Sequence, residues 1–339
     1  MKNAYIYPMS AKSEKEVAKN PYIDDFIDSM GAYCKFANKD KPSKIGILDV
    51  LKYTFRTDYV FFNWIEDIPD KKFGLAQTMF LLIFLNIAKF YKIKIIWTMH
   101  NKLSHSHDHL FLKRIIFFTL LKKANCIFTH ASEGILYAEN MSTGSKKNII
   151  YIPHPIKKKL NDHAETKTID ILIWGSLSEY KGIVEFLEYL FSKKLENRYE
   201  ILVIGKSTSR KFFASLSVLS NEHIVIKDHF PDEYYLRSLI SKSKVILFTY
   251  AKSSILSSGA LMDSIGFGAN IIGPNVGAFT DIKKEGVIET YDNFDDLIDK
   301  IDSELERPYT RDGKQIVSFI NDNSWKVFVE KVGKAIDIL

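Results

Sequence analysis

Ser257-Ser258-Gly259-Ala260-Leu261-Met262-Asp263-Ser264-Ile265-Gly266-Phe267-Gly268-Ala269-Asn270-Ile271-Ile272-Gly273-Pro274 reads as a small-residue turn, a short helix, a glycine stop and a buried strand. Ser and Gly at its start leave backbone N–H groups unpaired at a helix N-terminus. That end carries partial positive charge and accepts a phosphate readily. Asp263 falls one turn into the helix, within reach of a sugar hydroxyl. The stretch is therefore expected to hold a nucleotide diphosphate.

Outward from it, strand-like and helix-like segments alternate along the whole chain. Before it come strands at 169–174, 199–205, 224–227 and 245–250, with helical segments between them. Earlier still, the same alternation runs through strands at 3–7, 58–64, 94–101 and 126–130. Alternation of this kind predicts mostly parallel sheets covered by helices on both faces. His154-Pro155 and the polar run 157–167 read as a linker between two such halves. The chain is expected to divide into residues 1–155, residues 156–313 and a C-terminal amphipathic helix, 314–339. That last helix is expected to pack back toward the first half.

The chain has 339 residues, comfortable for two domains, and 46% of them are hydrophobic, enough for two cores. Cys34 and Cys126 sit in apolar surroundings at no metal-ligand spacing, as reduced core thiols of a cytoplasmic protein would. Met1-Lys2-Asn3-Ala4 leads straight into a strand-like run, not the pattern of a secretory signal. The apolar stretch 73–90 contains Gln77, Thr78, Asn86 and Lys89 and is at the short limit for a span. A buried or membrane-grazing helix fits it better.

Charge is uneven. Residues 1–155 carry 22 Lys and Arg against 14 Asp and Glu, a net of +8, and the remainder carries 25 against 27, a net of −2. A basic first half suits an anionic membrane surface or a phosphate-bearing substrate. The lysines are scattered and no nucleic-acid-binding signature is present, so no nucleic-acid partner is expected.

Further segments carry a resemblance. Gly175-Ser176-Leu177-Ser178-Glu179-Tyr180-Lys181-Gly182 is similar to a Gly-Arg-Leu…Lys-Gly loop. Met262 to Ile272 followed by Asn275-Val276-Gly277 resembles a Glu-Ala-Met-Ala-x-Gly-x-Pro-Val-Ile segment. Trp97-Thr98-Met99-His100-Asn101, with His105 five residues after His100, looks like a Thr-x-His-Asn…His segment, and Pro153-His154-Pro155 looks like a hinge. In this order they resemble the nucleotide-sugar glycosyltransferases of the GT-B fold, and most of all the family 4-like enzymes of bacterial surface-polysaccharide synthesis. The likeness covers about residues 58–290. It departs at Ser176, where the family has Arg. It departs also at Asp263, which shortens an acidic position, and at Ile255, where the first Glu of the motif would fall.

The resemblance implies an α/β fold of two Rossmann-like domains facing across a cleft. It implies transfer of a hexose from a UDP- or GDP-sugar to a lipid-linked or oligosaccharide acceptor, without a metal and with no cofactor besides the donor. Such work belongs to capsule, exopolysaccharide or O-antigen synthesis, on the cytoplasmic side and peripheral to the inner leaflet. Gly175, Ser176, Lys181, Lys206, Ser257, Ser258, Gly259 and Asp263 are then the donor-binding candidates, with Lys181 the cation for the departing phosphate. His100 is the candidate general base, since its ordinary pKa is near neutral, and Glu66 is its rival. Ser10, Tyr22, Asn101 and His105 border the acceptor. The basic, Phe-rich helix 110–123 reads either as an ordinary amphipathic core-facing helix or as one that grazes the membrane. His105-Ser106-His107-Asp108-His109 has alternate-residue spacing but no further partner, so no metal site is expected there. The alternatives are a nucleotide-sugar-binding protein impaired in catalysis and a UDP-sugar epimerase of similar fold.

Overall fold

A computed structural model describes residues 1–9, 21–102, 108–141, 148–160, 165–251, 255–306 and 313–337. Ser10 and His105, with His107 of the alternating histidines, lie outside the described residues. The chain forms two compact units, Met1–Pro153 with Trp325–Leu339, and His154–Ser324.

The first unit is a six-stranded parallel sheet. Its elements are β1 (Lys2–Tyr7), α1 (Tyr22–Ser29), β2 (Cys34–Phe36), two 3-10 turns (Gly46–Lys52, Thr54–Arg56) and β3 (Tyr59–Asn63). A third 3-10 turn (Ile65–Asp70) leads into α2 (Gly74–Ile87), β4 (Lys94–Met99), α3 (Leu110–Lys123), β5 (Cys126–Thr129), α4 (Ser132–Met141) and β6 (Ile149–Tyr151). The strand order is β2-β1-β3-β4-β5-β6. Central strands are buried along their length, as Tyr-Val-Phe-Phe-Asn in β3 shows, because helices cover both faces. In register, Phe62 faces Trp97 and Trp97 faces Ile127.

The second unit repeats the plan with β7 (Ile169–Trp174), α5 (Ile183–Ser192), β8 (Ile201–Ile204), α6 (Arg210–Ser217), β9 (Ile224–Lys227), α7 (Glu233–Lys242) and β10 (Ser243–Leu247). It continues through α8 (Gly259–Gly266), β11 (Ile271–Pro274), α9 (Gly277–Lys284), β12 (Glu289–Tyr291), α10 (Phe294–Glu306) and α11 (Gly313–Asp322). Its order is β12-β11-β10-β7-β8-β9, all parallel. The fold class is α/β with two Rossmann-like domains.

The tail departs from the single helix read in the sequence. It is two helices, α11 and α12 (Trp325–Asp337), in different units. Between them Asn323 O accepts the Ile156 N–H at 2.8 Å, and Ser324 forms a bridge with Ile156. That extended crossing ends the first helix. Phe328, Val329, Val332 and Ile336 of α12 join the core that holds Phe26 and Phe61. Gly333 lets α12 sit against the Tyr33 ring, where a Cβ would lie 2.3 Å from a ring carbon.

Candidate functional site

In the second unit the chain runs outward through β7, β8 and β9, then returns to the other side of β7 with β10. Loops leaving β7 and β10 therefore diverge, and open sheets bind ligands at that reversal, outside the carboxyl ends of the strands. The loop after β7 is Gly175–Gly182, and the stretch after β10 leads to Ser257 and α8.

These two segments are clipped together. Thr249 Oγ1 donates to Lys181 O at 2.6 Å, and Ala251 N donates to Tyr180 O at 3.1 Å. Gly182, at φ +65°, passes so near Thr249 that a Cβ would lie 2.3 Å from its carbonyl oxygen. The close fit turns Lys181 inward. Its side chain is only 6% exposed, and its Nζ lies 5.5 Å from the centroid of the Tyr250 ring. Burial lowers its pKa to about 8. No carboxylate lies within 4.0 Å of its Nζ among the described residues.

The start of α8 adjoins this lysine. A Cβ built on Gly175 would stand 2.8 Å from Lys181 Nζ and 3.7 Å from Ala260 Cβ, so loop, ammonium and helix start converge on one point. Ser258 caps the helix: its Oγ accepts from Leu261 N at 3.3 Å and bonds Tyr250 Oη at 2.8 Å. Past the cap, Gly259 and Ala260 present N–H groups without a partner among the described residues, and the space beside Gly259 is open. Ser257 Oγ is buried with no partner among them either. Trp174 Nε1 donates to Ser264 Oγ at 2.9 Å, tying α8 to the end of β7.

Other donor candidates are arranged differently from the sequence expectation. The Gly175 N–H is spent on Ile204 O at 3.2 Å, so this glycine contributes room rather than a donor. Ser258 uses its hydroxyl as the cap. Asp263 is already neutralised by Lys159 Nζ at 3.0 Å, and Lys159 also reaches Glu233 at 3.3 Å. Lys159 lies in the run read as linker, which hid that pairing. Lys206 is exposed and paired with Asp228 at 3.0 Å. Ser176 is exposed on the loop, within hydrogen-bonding reach of the Tyr180 phenol.

In the first unit a second set of polar groups gathers at the carboxyl ends of β3, β4 and β5. The His100 imidazole stacks on the Trp64 indole, centroids 4.0 Å apart. Asn63 Oδ1 lies 3.0 Å from His100 Nε2 and accepts its proton, which puts the lone pair of the neutral ring on Nδ1. Trp64 takes a left-handed backbone, φ +46°, uncommon for a bulky residue. Asn101 is buried beside His100 in sequence.

Tyr22 is part of this cluster's core, correcting its expected place on a loop bordering the acceptor. It opens α1, is fully buried, and meets Trp64, His100, His130 and Trp325 ring to ring. His130 was not singled out by sequence reasoning. Its Nδ1 donates to Ile152 O at 2.9 Å, and its Nε2 takes the Tyr22 hydroxyl at 3.1 Å. Its position after an apolar strand, matching that of His100, was the available signal.

Glu66 is interior, against its expected part as a base rivalling His100. It is buried and Oε2 has no hydrogen-bond partner among the described residues. Burial, then the Asp67 charge, raise its pKa to about 8, with Trp97 and Lys113 pulling the other way. No group of three His, Cys, Asp or Glu able to hold a metal is present among the described residues.

No protein-family model and no curated protein matches the chain. Solved structures do. The Anabaena protein HepE, solved with UDP-glucose, is similar over all of both chains at 9% identity and a TM-score of 0.69. The lipopolysaccharide outer core galactosyltransferase WaaB is similar over 99% of each chain at 13% identity and a TM-score of 0.63. A glycosyltransferase of avilamycin A biosynthesis matches over 99% of this chain and 97% of its own, at 10% identity and a TM-score of 0.61. Identities this low establish the fold. It is the paired Rossmann-like architecture of the GT-B class.

Proposed function

We propose that the chain is a GT-B glycosyltransferase, family 4-like, that moves a hexose from a UDP- or GDP-sugar to a lipid-linked or oligosaccharide acceptor. The observation that carries this reading is Lys181. A buried ammonium with no carboxylate within 4.0 Å among the described residues is costly unless an anion completes it. A diphosphate seated there meets Lys181 and the N–H groups of Gly259 and Ala260 together.

Glycosyl transfer breaks the bond between the anomeric carbon and the donor phosphate oxygen, and negative charge builds on that oxygen. Fixed dipoles and a buried cation stabilise it at little reorganisation cost. A donor site built this way does the work without calling on a divalent metal. The first unit supplies the acceptor side, with His100 taking the acceptor hydroxyl proton or holding the sugar. A sugar on a lipid diphosphate at the inner leaflet, in capsule, exopolysaccharide or O-antigen synthesis, fits the basic first half of the chain.

The test is donor turnover. UDP or GDP released from the matching nucleotide-sugar, and lost in Lys181→Ala, supports the enzyme. The second reading is an impaired nucleotide-sugar-binding protein. It is favoured by Ile255, buried at the position where the family motif carries a glutamate. Donor binding without turnover in the presence of acceptors would establish that reading instead. Isomerised donor without acceptor would establish the epimerase.

A further inference from the structure

Helix α2 buries Leu81, Phe84 and Leu85 on its inward face, and its outward side is apolar as well. Gln77 and Thr78 are buried, whereas Leu75, Met79 and Ile83, spaced four residues apart on one stripe, are 61%, 58% and 58% exposed. Phe73 before the helix and Phe90 after it are exposed more fully still. A soluble surface helix puts its apolar stripe inward, and a contiguous outward one marks an interaction site.

The surroundings extend it. Strands β3, β4, β5 and β6 follow one another in a single direction, so right-handed crossovers set α2, α3 and α4 on the same face of the sheet. α1 and α12 cover the opposite face with polar residues outward. On α3, Phe111 and Phe118 are exposed with Arg114 between them. Phe55 and Tyr91, exposed and ring to ring at 5.4 Å, add to the same layer.

Charge identifies the occupant. Residues 71–123 hold ten Lys and Arg and one acidic residue, Asp108, although buried Lys113 is spent on Asp70 and Lys102 on Glu133. Lys71 and Lys72 precede α2, and Lys89 and Lys92 follow it, all four exposed. An apolar stripe bracketed by lysines at both ends is the pattern of a helix lying flat in a bilayer interface. A second copy of the chain would bring like charges together. No helix among the described residues is long and apolar enough to cross a membrane.

We infer that the α2–α3 layer docks on an anionic lipid bilayer, with Leu75, Met79 and Ile83 entering the headgroup boundary and the flanking lysines meeting lipid phosphates. This puts the centre of the contact on α2, within the stretch 73–90 expected to be buried or membrane-grazing, with α3 beside it. It deepens the lipid-linked-acceptor reading, because it would bring the protein to such an acceptor. Vesicle binding is measured without donor, so the two can fail separately.

The experiment sediments the full chain with extruded vesicles of phosphatidylcholine, with and without 30% phosphatidylglycerol. The expected result is binding to the anionic vesicles, at least tenfold weaker in M79E/I83E. K89Q/K92Q should weaken it several-fold and flatten its dependence on salt. Both positions in M79E/I83E are exposed, and an unchanged thermal midpoint confirms the fold. Absence of vesicle binding, or equal binding by M79E/I83E, overturns the inference. So does a lipid-free dimer in light scattering that M79E/I83E dissolves, which would give the face to self-association.

Discussion

The Trp64 indole lies flat on the His100 imidazole, centroids 4.0 Å apart and planes 11° from parallel. With Asn63 on Nε2, the ring is fixed on a face and on an edge. A base or a sugar-binding histidine needs that restraint, since small misplacements cost large factors in rate. Trp64→Ala should lower kcat at least tenfold while Lys181-dependent donor binding persists. Isothermal titration with UDP and steady-state turnover separate the two effects, and an unchanged kcat would refute the positioning role.

Lys181 should burden the empty protein. The unfolded chain holds its proton up to about pH 10.5, the folded one only to about 8. The unfolded state therefore binds more protons between those values, and stability rises with pH across them. Lys181→Met should remove that rise and raise stability below pH 8 by ~1–3 kcal/mol. Urea denaturation at pH 7 and pH 10 measures both.

The same proton should govern donor affinity in the opposite sense. A diphosphate prefers the protonated lysine, so binding weakens once pH exceeds the free-site value of about 8. A single proton limits the slope to tenfold per pH unit. UDP titrations from pH 7 to 9.5 should show a loss of up to roughly thirtyfold, absent in Lys181→Met, whose affinity is low throughout.

Gly175 is open to a direct steric test. Its φ of +108° is strained for any side chain, and a Cβ would sit 2.8 Å from Lys181 Nζ. Gly175→Ala should cost ~1–3 kcal/mol of stability and displace the ammonium. Donor affinity should fall by at least tenfold, and a thermal-shift series with UDP would record both changes.

Glu66 titrates in the interior. Its pKa rises from 4.5 to about 8, so the folded state holds the proton longer than the unfolded one. Stability should therefore fall as pH rises from about 4.5 to 8. Glu66→Gln should flatten that decline and gain ~1–3 kcal/mol at pH 8. Thermal melts at pH 5 and pH 8 decide it.

The local pattern was legible where it is short-range. Leu110–Lys123, Ile169–Trp174 and the turn before Gly259 form the helix, strand and helix start their residues predict. Lys181 was legible through its motif. Ser258 and Gly259 were legible beside it as donor-binding residues, but Tyr250 was not, because its ring meets Lys181 only when β7 and β10 lie side by side. Edge strand β2 and helices α9 and α10 escaped notice, because their patterns are brief or mostly charged.

By itself the sequence determined the alternation of strands and helices, the two-domain division near residue 154 and the basic character of the first half. These follow from residue spacing and composition, which act over a few positions. Only the tertiary structure decided which polar groups are spent and which remain available. Lys159 occupies Asp263 from 104 residues away, and Tyr22 meets His130 across 108. Such partners are chosen by strand order and burial, and nothing local in the chain encodes the distance between them.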